Sequence, residues 1–253
     1  MAKINIFILA FVSLFLANCK TENEKYPIDK RYWDTMDYAN VIRELKYGYE
    51  PDEKLPSYSD PENRIVFEKL VDQQNFKIVL DDNELGKKHR NEISSDFFMR
   101  WKDMNSIYRS TDRKDNYIYD RELIKVWHFG LSLQLRYFKL GNDVIIESSD
   151  DPNSGQASRV INSNKRTLVG NFNYYLDEIN DEKAFSDEGK ELLSNGIDLY
   201  FTELIELYPK ANYSGMLKKI ELMQKKSKSE SIKTSLDKLK KLIESNKDQN
   251  NSL

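Results

Sequence analysis

The segment from residue 119 to residue 140 constrains the fold most strongly, because it is apolar on two sides. Apolar positions that recur in steps of three and four lie on one face of an α-helix. Two such stripes require neighbours on more than one side, so we expect this segment to be the central helix of a bundle, ended by Gly141. One stripe holds Ile124, Trp127, Leu131, Leu135 and Phe138, and the other holds Val126, Phe129, Leu133, Tyr137 and Leu140.

The same periodicity predicts helices along most of the remaining chain. We expect a helix capped by Asp34, a second capped by Ser59 or Asp60, a long one from Leu85 to Tyr108, and others at about 164–180, 187–208, 213–226 and 229–246. His89 lies in line with Leu85 and Ile93, so we expect it to be partly buried. The run from Phe76 to Leu80 fits either a strand or a buried helix end, and Val144 to Ile146 fits a short extended piece.

The composition favours helices over sheet. Charged residues make up 32% of the chain and glycine occurs nine times among 253 residues, which suits solvated helix faces better than many tight turns. The length is enough for one sizeable core. We therefore expect one all-α domain, a helical bundle or set of helical hairpins with about seven to eight helices and at most a minor short strand, over residues 31–246. Residues 247–253 are expected to form a disordered tail.

The first residues have the pattern of an export signal. Lys3 is followed by a nearly continuous apolar run from Ile4 to Ala17. As a helix this run would be about 21 Å long, shorter than the ~30 Å core of a bilayer. A charged start, a short apolar run and small residues after it are typical of a secretory signal peptide, here residues 1–18.

Leu16, Ala17 and Cys19 resemble the lipobox of bacterial lipoproteins, with Asn18 standing where Gly, Ala or Ser is usual. The resemblance implies acylation of the Cys19 thiol, cleavage before it, and acylation of the new amino terminus. Cys19 is the only cysteine, so no disulfide can form within the chain.

Residues 19–30 are expected to be the lipidated cysteine and a polar tether. Lys20 to Glu24 is similar to the lysine-plus-acidic signals that direct lipoproteins of Bacteroidetes to the outer surface of the outer membrane. An ordinary polar spacer would have the same composition. We therefore expect a lipid anchor in the outer membrane, on either its surface or its periplasmic face.

The chain offers few residues for catalysis. It has two histidines, His89 and His128, and no cysteine after Cys19, so we expect no metal and no cofactor. Neither a nucleophile elbow nor a phosphate-binding glycine loop occurs. Loss of Lys3 with the signal would leave 38 of the 39 Lys and Arg residues against 42 Asp and Glu, a formal charge of −4, which argues against a nucleic-acid partner.

Two groups of residues are candidates for binding. A basic stripe on the central helix would receive an acidic ligand if it lined a groove, and otherwise would be a solvated or ion-paired face. It contains Arg121, Lys125, His128, Arg136 and Lys139. Aromatic residues crowd the start of the mature chain and would suit a protein interface or ordinary packing. They include Tyr32, Trp33, Tyr47, Tyr49 and Tyr58.

These features predict a lipoprotein of the cell envelope that binds a macromolecule without catalysis, with an immunity or inhibitor protein as one version and a protein as the expected partner. The alternative is an envelope hydrolase that acts on glycan through paired carboxylates.

The lipobox resemblance generates a direct test. Cells that express the full chain and are fed an alkyne-tagged fatty acid should label the wild-type protein, whereas Cys19→Ala should carry no label, because the acylated thiol is gone. The variant should also leave the membrane fraction, since one or more buried acyl chains provide the anchorage. Equal labelling of both proteins would contradict the prediction.

Overall fold

The computed structural model describes residues 26–47, 54–109, 117–149 and 155–251, with side chains as far as Lys247. The predicted signal, Cys19 and most of the tether lie outside the described residues. The described chain is helical and contains no strand, so the prediction of a single all-α domain is confirmed. In that described part, no helix combines the length and the apolar character that a membrane crossing requires.

Ten α-helical segments follow one another along the described residues. They are α1 (Thr35–Tyr47), α2 (Arg64–Leu70), α3 (Gln74–Leu80), α4 (Lys87–Arg109), α5 (Asp120–Ser148), α6 (Gly155–Asp177), α7 (Asp187–Gly196), α8 (Thr202–Leu207), α9 (Ser214–Lys226) and α10 (Glu230–Asn251). A 3₁₀ helix, Glu178–Ala184, follows α6. A π-helical turn, Ile197–Phe201, joins α7 to α8, so that these form the one helix predicted over 187–208.

The central position predicted for α5 is correct. Along its length it contacts α4, α6 and α7, and most of its residues from Asp120 to Leu140 are buried. Side chains from both predicted stripes belong to the core: Leu131 and Phe138 from one, Leu133 and Leu140 from the other. The two-stripe pattern therefore located the helix around which the others pack.

Helix starts follow their polar caps. Asp34 Oδ1 accepts the backbone N–H groups of Met36 and Asp37 at 2.8 and 2.9 Å, and Asp37 Oδ2 accepts the N–H of Asp34 at 3.0 Å. This reciprocal pair satisfies donors that the first turn leaves open. Ser186 caps α7 by accepting the N–H of Gly189 at 3.0 Å. Asp60 accepts the N–H of Glu62, but α2 begins only at Arg64, which is later in the chain than a cap at Asp60 predicts.

The prediction that Gly141 ends the central helix is wrong, and so is the extended piece at Val144 to Ile146. Helix α5 continues to Ser148. Two contacts favour this longer helix: Lys139 pairs with Asp143 across the glycine at 2.7 Å, and Asn142 Oδ1 accepts Asn164 Nδ2 at 2.9 Å. Tertiary packing against α6 thus outweighs a local stop signal.

Other boundaries differ in the same direction. The ambiguous run at Phe76 to Leu80 lies in α3, and α6 starts at Gly155 instead of about 164. Helix α10 reaches Asn251, into the predicted tail at 247–253, whose last two residues lie outside the described part. Of the predicted tether, Tyr26 is buried, and Pro27 O accepts the indole N–H of Trp33 at 2.9 Å.

Gly130 allows α4 and α5 to come close together. A Cβ placed there would be 2.1 Å from Cε2 of Trp101, whose indole N–H donates to the carbonyl of Val126 at 2.9 Å. Only a residue without a side chain leaves room for this ring on a helix surface. The packing of Trp101 therefore depends on one glycine.

Two glycine substitutions test this packing. Gly130→Ala should lower the free energy of unfolding by about 1–3 kcal/mol, because the indole must move. Gly170→Ala is the matched control in α6: a Cβ added there would have no atom within 4 Å, so alanine should raise stability by about 0.5–1 kcal/mol through its helix propensity. Urea unfolding followed by circular dichroism measures both. A stabilising Gly130→Ala would contradict the packing described here.

Candidate functional site

An open groove of about 560 Å³ lies along α5, with α4 and α6 as its walls. This volume is within the range typical of small-ligand sites. We call it the aromatic groove. Its lining residues are Phe98, Trp101, Lys102, Asn105 and Arg109 from α4, Trp127, Leu131, Gln134, Tyr137 and Phe138 from α5, and Thr167, Asn171, Tyr174, Tyr175 and Glu178 from α6 and the residue after it.

The groove runs parallel to the helices. Phe98 stacks on Tyr137, and Asn105 bonds to Trp127, so α4 and α5 are antiparallel where they border it. From Phe98 to Arg109 the α4 wall is about 16 Å long at ~1.5 Å per residue. One end of the groove is therefore marked by Phe98 and Tyr137, and the other by Arg109 and Trp127.

Ring surfaces dominate the lining. The rings of Phe98 and Tyr137 are 5.0 Å apart and only 6° from parallel, and Lys102 Nζ is 4.8 Å from the Phe98 centroid. On the opposite wall, the side chain of Tyr174 is 70% exposed. Tyrosine and tryptophan rings contribute large contact areas when a ligand covers them.

Both indole N–H groups of the groove are used within the protein. Trp101 donates to the carbonyl of Val126, and Trp127 Nε1 donates to Asn105 Oδ1 at 2.9 Å. These bonds fix the two rings in place. What the rings leave for a ligand is therefore carbon surface, not hydrogen-bond donors.

Three amide groups keep part of their hydrogen-bonding capacity. Asn171 Nδ2 donates to Gln134 Oε1 at 2.7 Å, while Asn105 uses its oxygen for Trp127. An amide offers two N–H donors and an acceptor oxygen. Among the described residues, Gln134 Nε2, Asn105 Nδ2 and Asn171 Oδ1 have no hydrogen-bond partner. The groove thus presents two donors and one acceptor beside its rings.

An ion pair crosses the groove at one end. Arg109 Nη2 binds Glu178 Oε1, which joins the α4 wall to the residue that follows α6. The Arg109 guanidinium carbon is 5.2 Å from the Trp127 centroid, within cation–π range. Of the described residues that line the groove, Glu178 alone carries a carboxylate, and Arg109 neutralises it.

The predicted basic stripe does not line this groove, and most of its charges are paired. Arg121 binds Glu188 at 3.0 Å, Arg136 binds Asp81 at 2.9 Å, and Lys139 binds Asp143 at 2.7 Å. Lys125 is half-buried and lowers the pKa of His128 by its charge. The ion-paired alternative therefore describes this face better than an open cationic groove does.

His128 belongs to the core and not to a binding surface, which corrects its place in the predicted ligand site. It is 6% exposed, and its Nε2 is 3.0 Å from the hydroxyl of Tyr175, which donates to the carbonyl of Leu193 at 3.0 Å. Burial, with a smaller effect of the Lys125 charge, lowers the pKa of His128 from 6.5 to about 3. It is therefore neutral at pH 7.

Four of the five aromatic residues predicted for an interface lie in the described part of the chain, where they are dispersed and none of the four lines the groove. Trp33 is fully buried, its backbone N–H bonded to Asn75 Oδ1 at 2.8 Å, so it offers no exposed ring. Tyr58 packs on Phe67 at 5.0 Å and Tyr32 is half-buried, whereas Tyr47 is 74% exposed. Tyr49 lies outside the described residues.

His89 is also displaced from its predicted position. Its side chain is 63% exposed and its Nδ1 is 3.9 Å from Glu92 Oε2, so it is not part of the buried face of α4. Across the described part of the chain, no group of three or more His, Cys, Asp or Glu residues could hold a metal ion.

The groove could have been found only in part from sequence. The spacing of Phe98, Trp101, Lys102, Asn105 and Arg109 is that of one helix face. Trp101 lies in the long helix predicted from Leu85 to Tyr108, but periodicity does not distinguish a ring in the core from one that lines a cleft. The sequence does not show that faces of α4, α5 and α6 converge on one groove.

Comparisons of the chain with protein-family models, with curated proteins and with solved structures gave no match. The fold and the groove therefore define its class: an all-α domain with an aromatic cleft across three consecutive helices.

The low pKa of His128 makes stability depend on pH. The unfolded chain binds a proton at this residue below its ordinary pKa of 6.5, whereas the folded protein does so only near 3. The free energy of unfolding should therefore fall by about 2 kcal/mol between pH 7 and pH 5 from this group alone, and continue to fall towards its folded pKa.

Urea unfolding at the two pH values measures the effect, with His128→Gln as the comparison. Glutamine cannot take up the proton but can still hydrogen-bond to Tyr175, so the variant should lose less stability over this interval, by about 2 kcal/mol. Equal losses in the two proteins would show that His128 is not the responsible group.

Proposed function

We propose that this chain is a lipid-anchored protein of the cell envelope, attached to the outer membrane through Cys19, that binds a macromolecule in its aromatic groove without chemical conversion. The anchor rests on the lipobox resemblance of Leu16, Ala17 and Cys19. The binding role rests on the groove, and an immunity or inhibitor protein is one form that such a binder takes.

One observation carries the proposal: the groove is a concave surface lined mainly by rings, and one of these rings is largely exposed. Leu131 and Phe138 on its floor are buried, yet Tyr174 stands 70% exposed above them. A concave site lined mainly by apolar and aromatic side chains, with a few polar groups among them, is the usual form of a ligand-binding site. Its aromatic composition matches the anchoring residues of binding sites.

The alternative of a glycan hydrolase needs two carboxyl groups that face each other across a substrate. Among the described lining residues the groove supplies only Glu178, and Arg109 holds that group as an ion pair. The contacts of this groove therefore favour binding over hydrolysis.

Site-specific photocrosslinking on intact cells tests the binding role. The full-length protein would carry p-benzoylphenylalanine in place of Tyr174, on the groove wall, or of Leu222, which is 48% exposed on α9 and does not line the groove. Irradiation should give a defined adduct from position 174 and not from position 222, because only the former faces the ligand.

Cys19→Ala in the same background should reduce the adduct, since anchoring raises the effective concentration of an envelope partner. Adducts of the same pattern from both positions, or adducts from neither, would contradict groove-mediated binding.

A further inference from the structure

We propose that the ligand of the aromatic groove is a segment of uncharged glycan. This inference rests on the proposed function and specifies its ligand. It follows from three properties of the lining taken together: a fixed ring face beside an exposed one, unused amide valences, and an ion pair that a neutral ligand leaves intact.

The ring faces suit the C–H face of a sugar ring. The indole N–H of Trp101 is spent on Val126, so this half-buried ring offers carbon surface held in a fixed orientation, whereas Trp127 is only 6% exposed and lies beneath Arg109. A pyranose has one face made largely of C–H groups, which gains contact and loses water when it covers an aromatic ring. Tyr174, on the opposite wall, adds an exposed ring that a sugar chain would cover.

The unused amide valences suit hydroxyl groups. Gln134 Nε2 and Asn105 Nδ2 are donors, and Asn171 Oδ1 is an acceptor, because each amide already uses its other end within the protein. A hydroxyl both donates and accepts, so successive hydroxyls along a glycan can satisfy groups of both kinds. An acyl chain would cover the same rings but leave these amides without partners, which penalises its binding.

The ion pair at the end of the groove leaves neither a free guanidinium for an anionic ligand nor a free carboxylate for a cationic one. Arg109 and Glu178, the two charged groups at the end of the groove, neutralise each other. Lys102 is exposed and lies over the Phe98 ring, at the other end of the wall. A phosphate or carboxylate ligand would have to compete with Glu178 for Arg109, whereas a neutral glycan leaves the pair intact.

A protein segment is the competing ligand. A partner α-helix has satisfied its own backbone groups and would meet the amides only through suitable side chains. Each sugar of a glycan can place its C–H face on a ring and its hydroxyl groups near the amides, and for this reason we prefer a glycan.

The test uses the full-length lipidated protein in detergent micelles. It would be titrated with neutral oligosaccharides built from glucose, galactose, mannose or N-acetylglucosamine, with their sulfated counterparts, with a dodecyl chain on a polyoxyethylene head group that contains no sugar, and with an unrelated amphipathic peptide. We expect binding to at least one neutral oligosaccharide and weaker binding to its sulfated form. Calorimetry reads the affinity, and tryptophan fluorescence reports whether the groove is occupied.

Three variants assign that binding to the groove. Tyr174→Ala should weaken it by about tenfold, equivalent to about 1.4 kcal/mol, whereas Tyr174→Phe, which keeps the ring, should retain it. Tyr47→Ala is the matched control, because Tyr47 is equally exposed, at 74% against 70%, and lies away from the groove. Circular dichroism verifies that each variant is folded.

The outcomes separate this inference from the proposed function. If the peptide binds with the same dependence on Tyr174 and no oligosaccharide does, the glycan inference is wrong while a binding groove remains. If the dodecyl chain alone binds, the occupant is lipid-like and the inference is equally wrong. If no probe depends on Tyr174 and the photocrosslinks at 174 and 222 are alike, both proposals fail. A Tyr174 adduct that glycosidases remove and proteases do not would support both.

Discussion

The burial of α5 on several sides is the constraint on which the rest of the structure depends. A polar side chain on such a helix loses water on folding and must find a partner inside the protein. Five of the six buried polar side chains of α5 do so by binding a different part of the chain, while Ser132 accepts a bond from Arg136 of the same helix. The five bonds hold the neighbouring segments in place. The pairs are Asp120 with Ser186, Glu122 with the backbone of Tyr58, His128 with Tyr175, Gln134 with Asn171, and Asn142 with Asn164.

Close approach of the helices makes these bonds possible, and glycine permits it. At Gly196 a Cβ would be 2.1 Å from the Tyr175 hydroxyl and 2.4 Å from His128 Nε2, so a larger residue would separate α7 from the buried pair. The neighbouring turn is π-helical, a form common where a helix adjusts to an internal constraint. Glycine is scarce in this chain, but at Gly130 and Gly196 it permits close contacts between helices.

Periodicity predicted the helices well because the apolar residues that form the buried face of each helix recur within that segment of the sequence. The observed ends of α9 and of the helix at 187–208 lie within one residue of the predicted ends. Helices α5 and α6 are longer than predicted, because the bond between Asn142 and Asn164 stabilises turns that no local sequence signal indicates. The site was predicted less well. Charge spacing left both a cationic groove and an ion-paired face open at Arg121 to Lys139. Only the fold brings Asp81 and Glu188, which are remote in sequence, into contact with these charges.

In the aromatic groove, some side chains stabilise the fold and others remain available to a ligand. Trp101 and Trp127 use their N–H groups within the fold, so the positions of both rings are set before any ligand binds. Tyr174 and the outward ends of the amides contribute little to the core and retain what a ligand can use. A preorganised surface of this kind loses little conformational entropy on binding. For that reason, the residues that hold the groove open and the residues that would recognise its ligand are separable by substitution.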